Sequence, residues 1–168
     1  MIRPAITSLY LSAAVLIGIA LEEGFTSKAV IPVPGDVPTI GFGTTSGVKM
    51  GDTITPERAL VRLLSDADKF SEAVKRCANV PLYQYEFDAY MSLTYNIGAG
   101  AFCNSTLVRK LKTYDYAGAC KEILRWDKFQ GQPLKGLTNR RQREYKLCMG
   151  NVQNHSYSSN MVIIYNHT

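Results

Sequence analysis

Two carboxylates, Glu22 and Glu23, stand together where an uncharged stretch of the chain ends. Residues 4–21 contain no Asp, Glu, Lys or Arg, and Gly24 follows the acidic pair. A carboxyl held against apolar surface keeps its proton to higher pH, which is how a protein makes it a general acid. The plainer alternative is the solvated end of a helix. A second stretch, Asn96-Ile97-Gly98-Ala99-Gly100, is a glycine-rich break that would let backbone approach a ligand closely. On its own it reads first as a helix stop and turn.

Metal chemistry finds little to work with. Cys77, Cys103, Cys120 and Cys148 form no C-x-x-C pair, and the two histidines, His155 and His167, lie near the C-terminus. No metal site and no cofactor are expected. Four well-spaced cysteines beside an export-like N-terminal stretch fit disulfides in an oxidising compartment. Three pairings are possible. Cys77–Cys103 with Cys120–Cys148 is preferred, because each pair brackets one helical hairpin. The 168 residues carry a formal charge of +5, which suits an anionic partner. No nucleic-acid signature accompanies that charge, so nucleic acid is not expected as a partner.

The positioning elements follow from periodicity and punctuation. Residues 4–21 are just long enough to span a bilayer core, yet Thr7, Ser8, Ser12 and Gly18 make the run weakly hydrophobic. It reads as a cleaved signal peptide, a permanent anchor, a reversible anchor or a plain core helix. Cleavage after Gly18-Ile19-Ala20 would leave Glu23 on a frayed terminus, which a catalytic acid cannot tolerate. Retention therefore goes with catalysis by Glu23, and Glu22 is then its solvated neighbour.

Gly24 suits a helix C-terminus. Prolines 32, 34 and 38 with intervening β-branched residues predict a short hairpin turning at Pro34-Gly35-Asp36. Thr55, Pro56 and Glu57 open a helix running to residue 77, its apolar stripe formed by Leu60, Leu63, Leu64, Ala67, Phe70 and Val74. Further helices are predicted over 82–95, over 107–111 after a Ser105 or Thr106 cap, and over 116–126. A loop over 130–138 leads to a last basic helix, 140–149, capped by Asn139. Trp126 reads as core. Residues 151–168 shift to an Asn/Ser-rich composition and read as a loose tail.

Three separated motifs carry a family resemblance. Glu23-Gly24 precedes Pro38-Thr39-Ile40-Gly41-Phe42-Gly43-Thr44. Tyr95-Asn96-Ile97-Gly98-Ala99-Gly100-Ala101-Phe102 follows, and then Trp126 with Gly136-Leu137-Thr138-Asn139-Arg140-Arg141-x-x-Glu144. In this order the chain resembles the phage-type lysozymes of glycoside hydrolase family 24 over about residues 22–149. Its weakly apolar N-terminus resembles the signal-anchor-release endolysins among them. The resemblance implies an α+β, mainly helical lysozyme-like fold. A small N-terminal lobe with a β-hairpin (22–54) would join a larger helical lobe (78–150) through a linking helix (55–77), with a cleft between the lobes.

The same resemblance implies a catalytic set of a Glu, an Asp nine residues on and a Thr six residues later. Glu23 matches the first and Thr39 the last. The position nine after Glu23 is Pro32, and the Glu-to-Thr interval is one residue longer than the pattern. Asp36, three before Thr39, is the remaining candidate for the second carboxylate. Arg140 matches the position whose guanidinium pairs with the acid, and Asn96 the supporting cleft-lining position. By its own residue type, Arg140 reads equally well as surface charge, as does Arg141.

The implied reaction is cleavage of the β-1,4 bond between N-acetylmuramic acid and N-acetylglucosamine in peptidoglycan, by a monomer, with host lysis as the outcome. Glu23 would donate the proton, Asp36 would orient water or support positive charge, and Thr39 would help position that water. The missing aspartate keeps a rival in view: a lytic transglycosylase, where the sugar's own C6 hydroxyl attacks. A second rival is a non-catalytic membrane or wall-binding protein. Residues 4–21 would hold the protein inactive in the host inner membrane until release into the periplasm.

Overall fold

The computed structural model describes residues 2–150. Its N-terminal stretch begins with a 3-10 turn, Ile6–Ser8, runs extended to Ser12, and only then becomes helix α1, Ala13–Glu23. Ser12 starts that helix because its hydroxyl accepts from the Val15 N–H at 3.2 Å, in the manner of an N-cap. Gly24 ends it at φ 68°, its N–H returning to the Ala20 carbonyl. Among the described residues, no helix is long and apolar enough to cross a membrane. Ile6, Leu9, Val15 and Ile19 instead enter the main hydrophobic core beside Phe87, Tyr90, Leu93 and Phe102 of the helical part.

After Gly24 comes the hairpin, β1 (Thr26–Val30) antiparallel to β2 (Thr39–Gly41), with Thr26 opposite Gly41 and Val30 opposite Thr39. It closes over a second, small core of Ala29, Ile40 and Val48, with Ile54 packed against it. Gly41 seats the hairpin on the next helix. A Cβ there would stand 2.9 Å from the Ala59 Cβ, and φ is 68°. That helix, α2, spans Pro56–Ala78, capped by Thr55 at its start and by Asn79 in the left-handed region at its end.

The stripe on α2 is narrower than the sequence predicts. Ala59, Leu63, Ala67, Ser71, Val74 and Ala78 are buried, whereas Leu60 and Leu64 are 47 % and 45 % exposed. A straight 3.6-residue helix facing a core on one side buries a single line of residues through 63, 67 and 74. Residues 60 and 64 fall on its flank.

Helices α3 (Gln84–Ile97), α4 (Ala99–Cys103), α5 (Thr106–Lys112) and α6 (Tyr116–Glu122) build the helical lobe. Ser105 caps α5. The helix predicted over 116–126 stops early, passing into a 3-10 turn at Ile123–Arg125, with Trp126 half-buried against the core. The loop expected at 130–138 is a two-residue-strand hairpin, β3 (Lys128–Phe129) and β4 (Gln132–Pro133), followed at once by α7 (Lys135–Cys148). Helix α7 thus starts a full turn before Asn139. Leu134 is extended and takes the N-cap position, and the Gly136 and Thr138 that read as loop residues are helical.

Both disulfides pair as preferred: Cys77–Cys103 ties α2 to α4, and Cys120–Cys148 ties α6 to α7. The tail after residue 150, with its histidines, lies outside the described residues.

Asp88, on α3, is an acid inside this lobe. It accepts from Ser12 Oγ and Gln84 Nε2, both at 2.8 Å. Burial pushes its carboxyl above the ordinary value, against those two hydrogen bonds. The folded chain therefore binds this proton more tightly than the unfolded chain. Its contribution to stability is complete at pH below the ordinary carboxylate range and is lost as pH rises through the raised value. Asp88→Asn is expected to flatten that decline, read as the urea midpoint from about pH 4 to about pH 7.

Candidate active site

Glu23 is the last residue of α1, so its position is fixed by that helix, and its side chain is 23 % exposed. Arg140, on the second turn of α7, donates from Nη1 to Glu23 Oε1 at 3.3 Å. On its other side Glu23 lies against the turn after β2. A Cβ placed on Gly43 would be 3.2 Å from Glu23 Oε2, and Gly43 has φ 85°. Only glycine fits both the backbone angle and the approach. The second glycine of Thr39-Ile40-Gly41-Phe42-Gly43 thus lets the small lobe touch the acid. Tyr95 on α3 joins the two lobes here, its hydroxyl donating to the Phe42 carbonyl at 3.1 Å. Its ionisation is pushed well above the ordinary phenol range, first by burial and then by the negative charges of Glu23 and Asp66.

Arg140 is itself held from three directions. Besides Glu23, Nη2 donates to the Ser92 carbonyl at 3.3 Å and Nε to Glu144 Oε1 at 3.3 Å. Glu144 also accepts from Ser92 Oγ at 2.7 Å. Its other oxygen lies 3.0 Å from Arg141 Nη1, a contact off the hydrogen-bonding direction and hence electrostatic. Arg141 is fully buried and donates from Nη2 to Asn96 Oδ1 at 2.6 Å. Burial raises the Glu144 carboxyl above its ordinary value and lowers the Arg141 guanidinium. Their mutual attraction opposes both shifts. Neither arginine is surface charge. Glu22, expected as a solvated neighbour, is exposed and forms a surface ion pair with Arg143 of α7.

The candidates from the hairpin are placed differently. Asp36 is exposed, at the turn, where its Oδ1 accepts from the Val37 N–H at 2.8 Å. Thr39 opens β2, half-buried, with Oγ1 donating to the Val37 carbonyl at 3.3 Å. Pro32 is exposed on the same loop. Glu23, Arg140 and, through Arg141, Asn96 form one connected network. Asp36 and Thr39 make their hydrogen bonds within the hairpin. The Asn96 amide oxygen is engaged by Arg141.

Sequence reasoning gave no role to Ser92, Arg141 or Glu144. The signal was present: Glu144 stands four residues after Arg140 and three after Arg141, the two spacings that bring side chains together on one helix face. Ser92 carried no signal, since a serine on an apolar helix has many uses.

The family model described as phage lysozyme matches residues 20–144. An endolysin of Acyrthosiphon pisum secondary endosymbiont phage 1 is 41 % identical over 113 residues, 65 % of this chain and 77 % of that protein. The SAR-endolysin of Pseudomonas phage phiKMV is 36 % identical over 141 residues, 82 % of this chain and 87 % of its own. Among solved structures, the endolysin from Escherichia coli O157:H7 phage FAHEc1 superposes with a TM-score of 0.74 at 35 % identity, covering 86 % of this chain and 96 % of that one. With the match spanning the acid, the hairpin and the arginine helix together, the chain belongs to the phage lysozyme family: it is a lysozyme-type glycosidase that acts on peptidoglycan.

Proposed function

We propose that this chain is a phage endolysin that cleaves the β-1,4 bond between N-acetylmuramic acid and N-acetylglucosamine, with Glu23 as the general acid. The observation that carries the reading is the half-buried Glu23 carboxylate fixed at a helix end between Arg140 and the Gly43 backbone. Glycoside cleavage needs a proton for the departing oxygen and stabilisation of a cation-like transition state. Glu23 supplies the proton. Arg140 aims the carboxyl through the contact of its Nη1 with Glu23 Oε1. Thr39 and Asp36, at the hairpin, are the groups on the small lobe for positioning water; Asn96 supports Arg141.

A second reading keeps its place on one observation. Pro32 stands where the family pattern has its aspartate, and the Asp36 carboxylate is engaged by its own loop. A lytic transglycosylase needs no water-activating base, because the substrate's C6 hydroxyl attacks, and Glu23 alone would serve. Mass spectrometry of digested peptidoglycan separates the two. Reducing muramic ends are expected, and 1,6-anhydro ends would sink hydrolysis.

Residues 4–21 serve as a reversible anchor in this proposal, holding the chain inactive at the host inner membrane before it enters the periplasm. Support comes from the weak apolarity of the run, from the SAR-endolysin relative, and from the packing of Ile6, Leu9, Val15 and Ile19 into the core, which is the arrangement of a released segment.

A further inference from the structure

The turn that leaves β2 does not fix its own shape. Gly41 and Gly43 have φ 68° and 85°, so the backbone on either side of Phe42 is at its most pliable. Ile40 and Thr44 close the turn on each other, Ile40 N–H to the Thr44 carbonyl at 2.9 Å and Thr44 N–H to the Ile40 carbonyl at 3.1 Å. Contacts from outside then set where it sits. The buried Thr44 hydroxyl donates to Asp66 Oδ2 on α2 at 2.9 Å. The Phe42 side chain leaves the small lobe to pack against the main core, its ring 5.5 Å from that of Phe25. The Tyr95 hydroxyl on α3 donates to the Phe42 carbonyl at 3.1 Å.

We propose that Tyr95 is a positioning residue for Glu23, acting through the Phe42–Gly43 peptide that its hydroxyl holds. The proposal rests on the reading of Glu23 as the general acid. The Phe42 carbonyl and the Gly43 N–H belong to one planar unit. Holding that oxygen therefore fixes the plane from which Gly43 approaches the acid, where an added Cβ would stand 3.2 Å from Glu23 Oε2. Arg140 bounds the other oxygen, Oε1, at 3.3 Å. The carboxyl stands between a guanidinium and a backbone wall, and consecutive residues of α3 brace both. Asn96, about 100° further round the helix from Tyr95, accepts from Arg141, and Arg141 shares Glu144 with Arg140.

Ring and hydroxyl divide the work. Phe70 on α2 seats the Tyr95 ring, with centroids 5.1 Å apart, so the ring has its own packing partner without the phenol oxygen. The hydroxyl adds the bond to the turn. Burial and the negative charges of Glu23 and Asp66 push its ionisation up, so it keeps its proton and stays a donor wherever a carboxylic acid can work.

Tyr95→Phe in the full-length protein keeps the ring and removes that bond. On purified peptidoglycan kcat is expected to fall about tenfold, short of the roughly 10²-fold that a misplacement of about 1 Å costs, with KM within about twofold. The thermal midpoint should stay within about 6 °C, the reach of one hydrogen bond. The Thr44 amide, closed inside the turn, should exchange at least about threefold faster, with Leu93 unchanged. In a Glu23→Gln background the same change should leave the residual rate where it is, because the acid that Tyr95 positions is gone. A wild-type kcat, a wild-type exchange rate at Thr44, or a loss repeated in full on Glu23→Gln overturns the positioning role and leaves Glu23 as the acid. A Glu23→Gln chain as fast as wild type overturns the acid reading itself, and the positioning role with it.

Discussion

Glu23→Gln is expected to slow solubilisation of purified peptidoglycan by about 10²–10⁴-fold, the share of a rate that a positioned general acid supplies. The substitution preserves shape and leaves a hydrogen-bond acceptor for Arg140, so the loss should fall on kcat with KM little changed. The fold should survive it. Arg140 keeps the Ser92 carbonyl and Glu144, and the α1 end keeps its Gly24 cap. Circular dichroism should therefore show a thermal midpoint close to wild type. A Glu23→Gln chain that still solubilises the wall at the wild-type rate would remove Glu23 from the chemistry. One that fails on purified wall yet lyses cells on schedule would instead point to membrane disruption by residues 4–21.

What was legible in the sequence, and what was not, divides along physical lines. Local signals were read well. Thr55-Pro56-Glu57 opens α2, Gly24 closes α1, and the prolines mark the hairpin, because caps and turns depend on a few neighbouring residues. Of three possible disulfide pairings, the one preferred because each pair brackets a helical hairpin is the one formed. The start of α7 was misplaced because Asn139 is a good cap in isolation. Tertiary packing instead brings the helix in at Lys135, over a Gly and a Thr that weaken but do not stop it. The burial of Arg141 was invisible for a similar reason, and Arg140 was marked only by its family position beside the acid. A pair of arginines is surface charge unless something distant compensates it, and their compensators, Glu23, Ser92 and Asn96, lie 117, 48 and 45 residues away. The N-terminal run shows the limit most clearly. Its composition permits both a span and a core element, and the α3 contacts that hold it in the core here come from 76 and 74 residues away.

Glu144 is where the largest loss of stability is expected. Its carboxylate, on a residue 4 % exposed, lies between two buried guanidiniums and takes a third bond from Ser92. Glu144→Leu leaves Arg140 and Arg141 facing each other with the countercharge between them gone. Breaking a buried pair from one side costs about 3–5 kcal/mol, because the remaining charge has nowhere to go. For a domain of this size that is a fall in thermal midpoint of roughly 6–20 °C. Adding Arg141→Met should recover most of it, since removing both partners of a buried pair is often nearly neutral. Activity should not follow stability back. Without Glu144, Arg140 loses the group that holds its Nε edge and keeps the Ser92 carbonyl and Glu23. The loss should fall on kcat, because an Arg140 freed at its Nε edge no longer holds the Glu23 carboxyl in one place. A wild-type kcat for Arg141→Met/Glu144→Leu at near wild-type stability would mean that Glu144 braces the helix without positioning the acid.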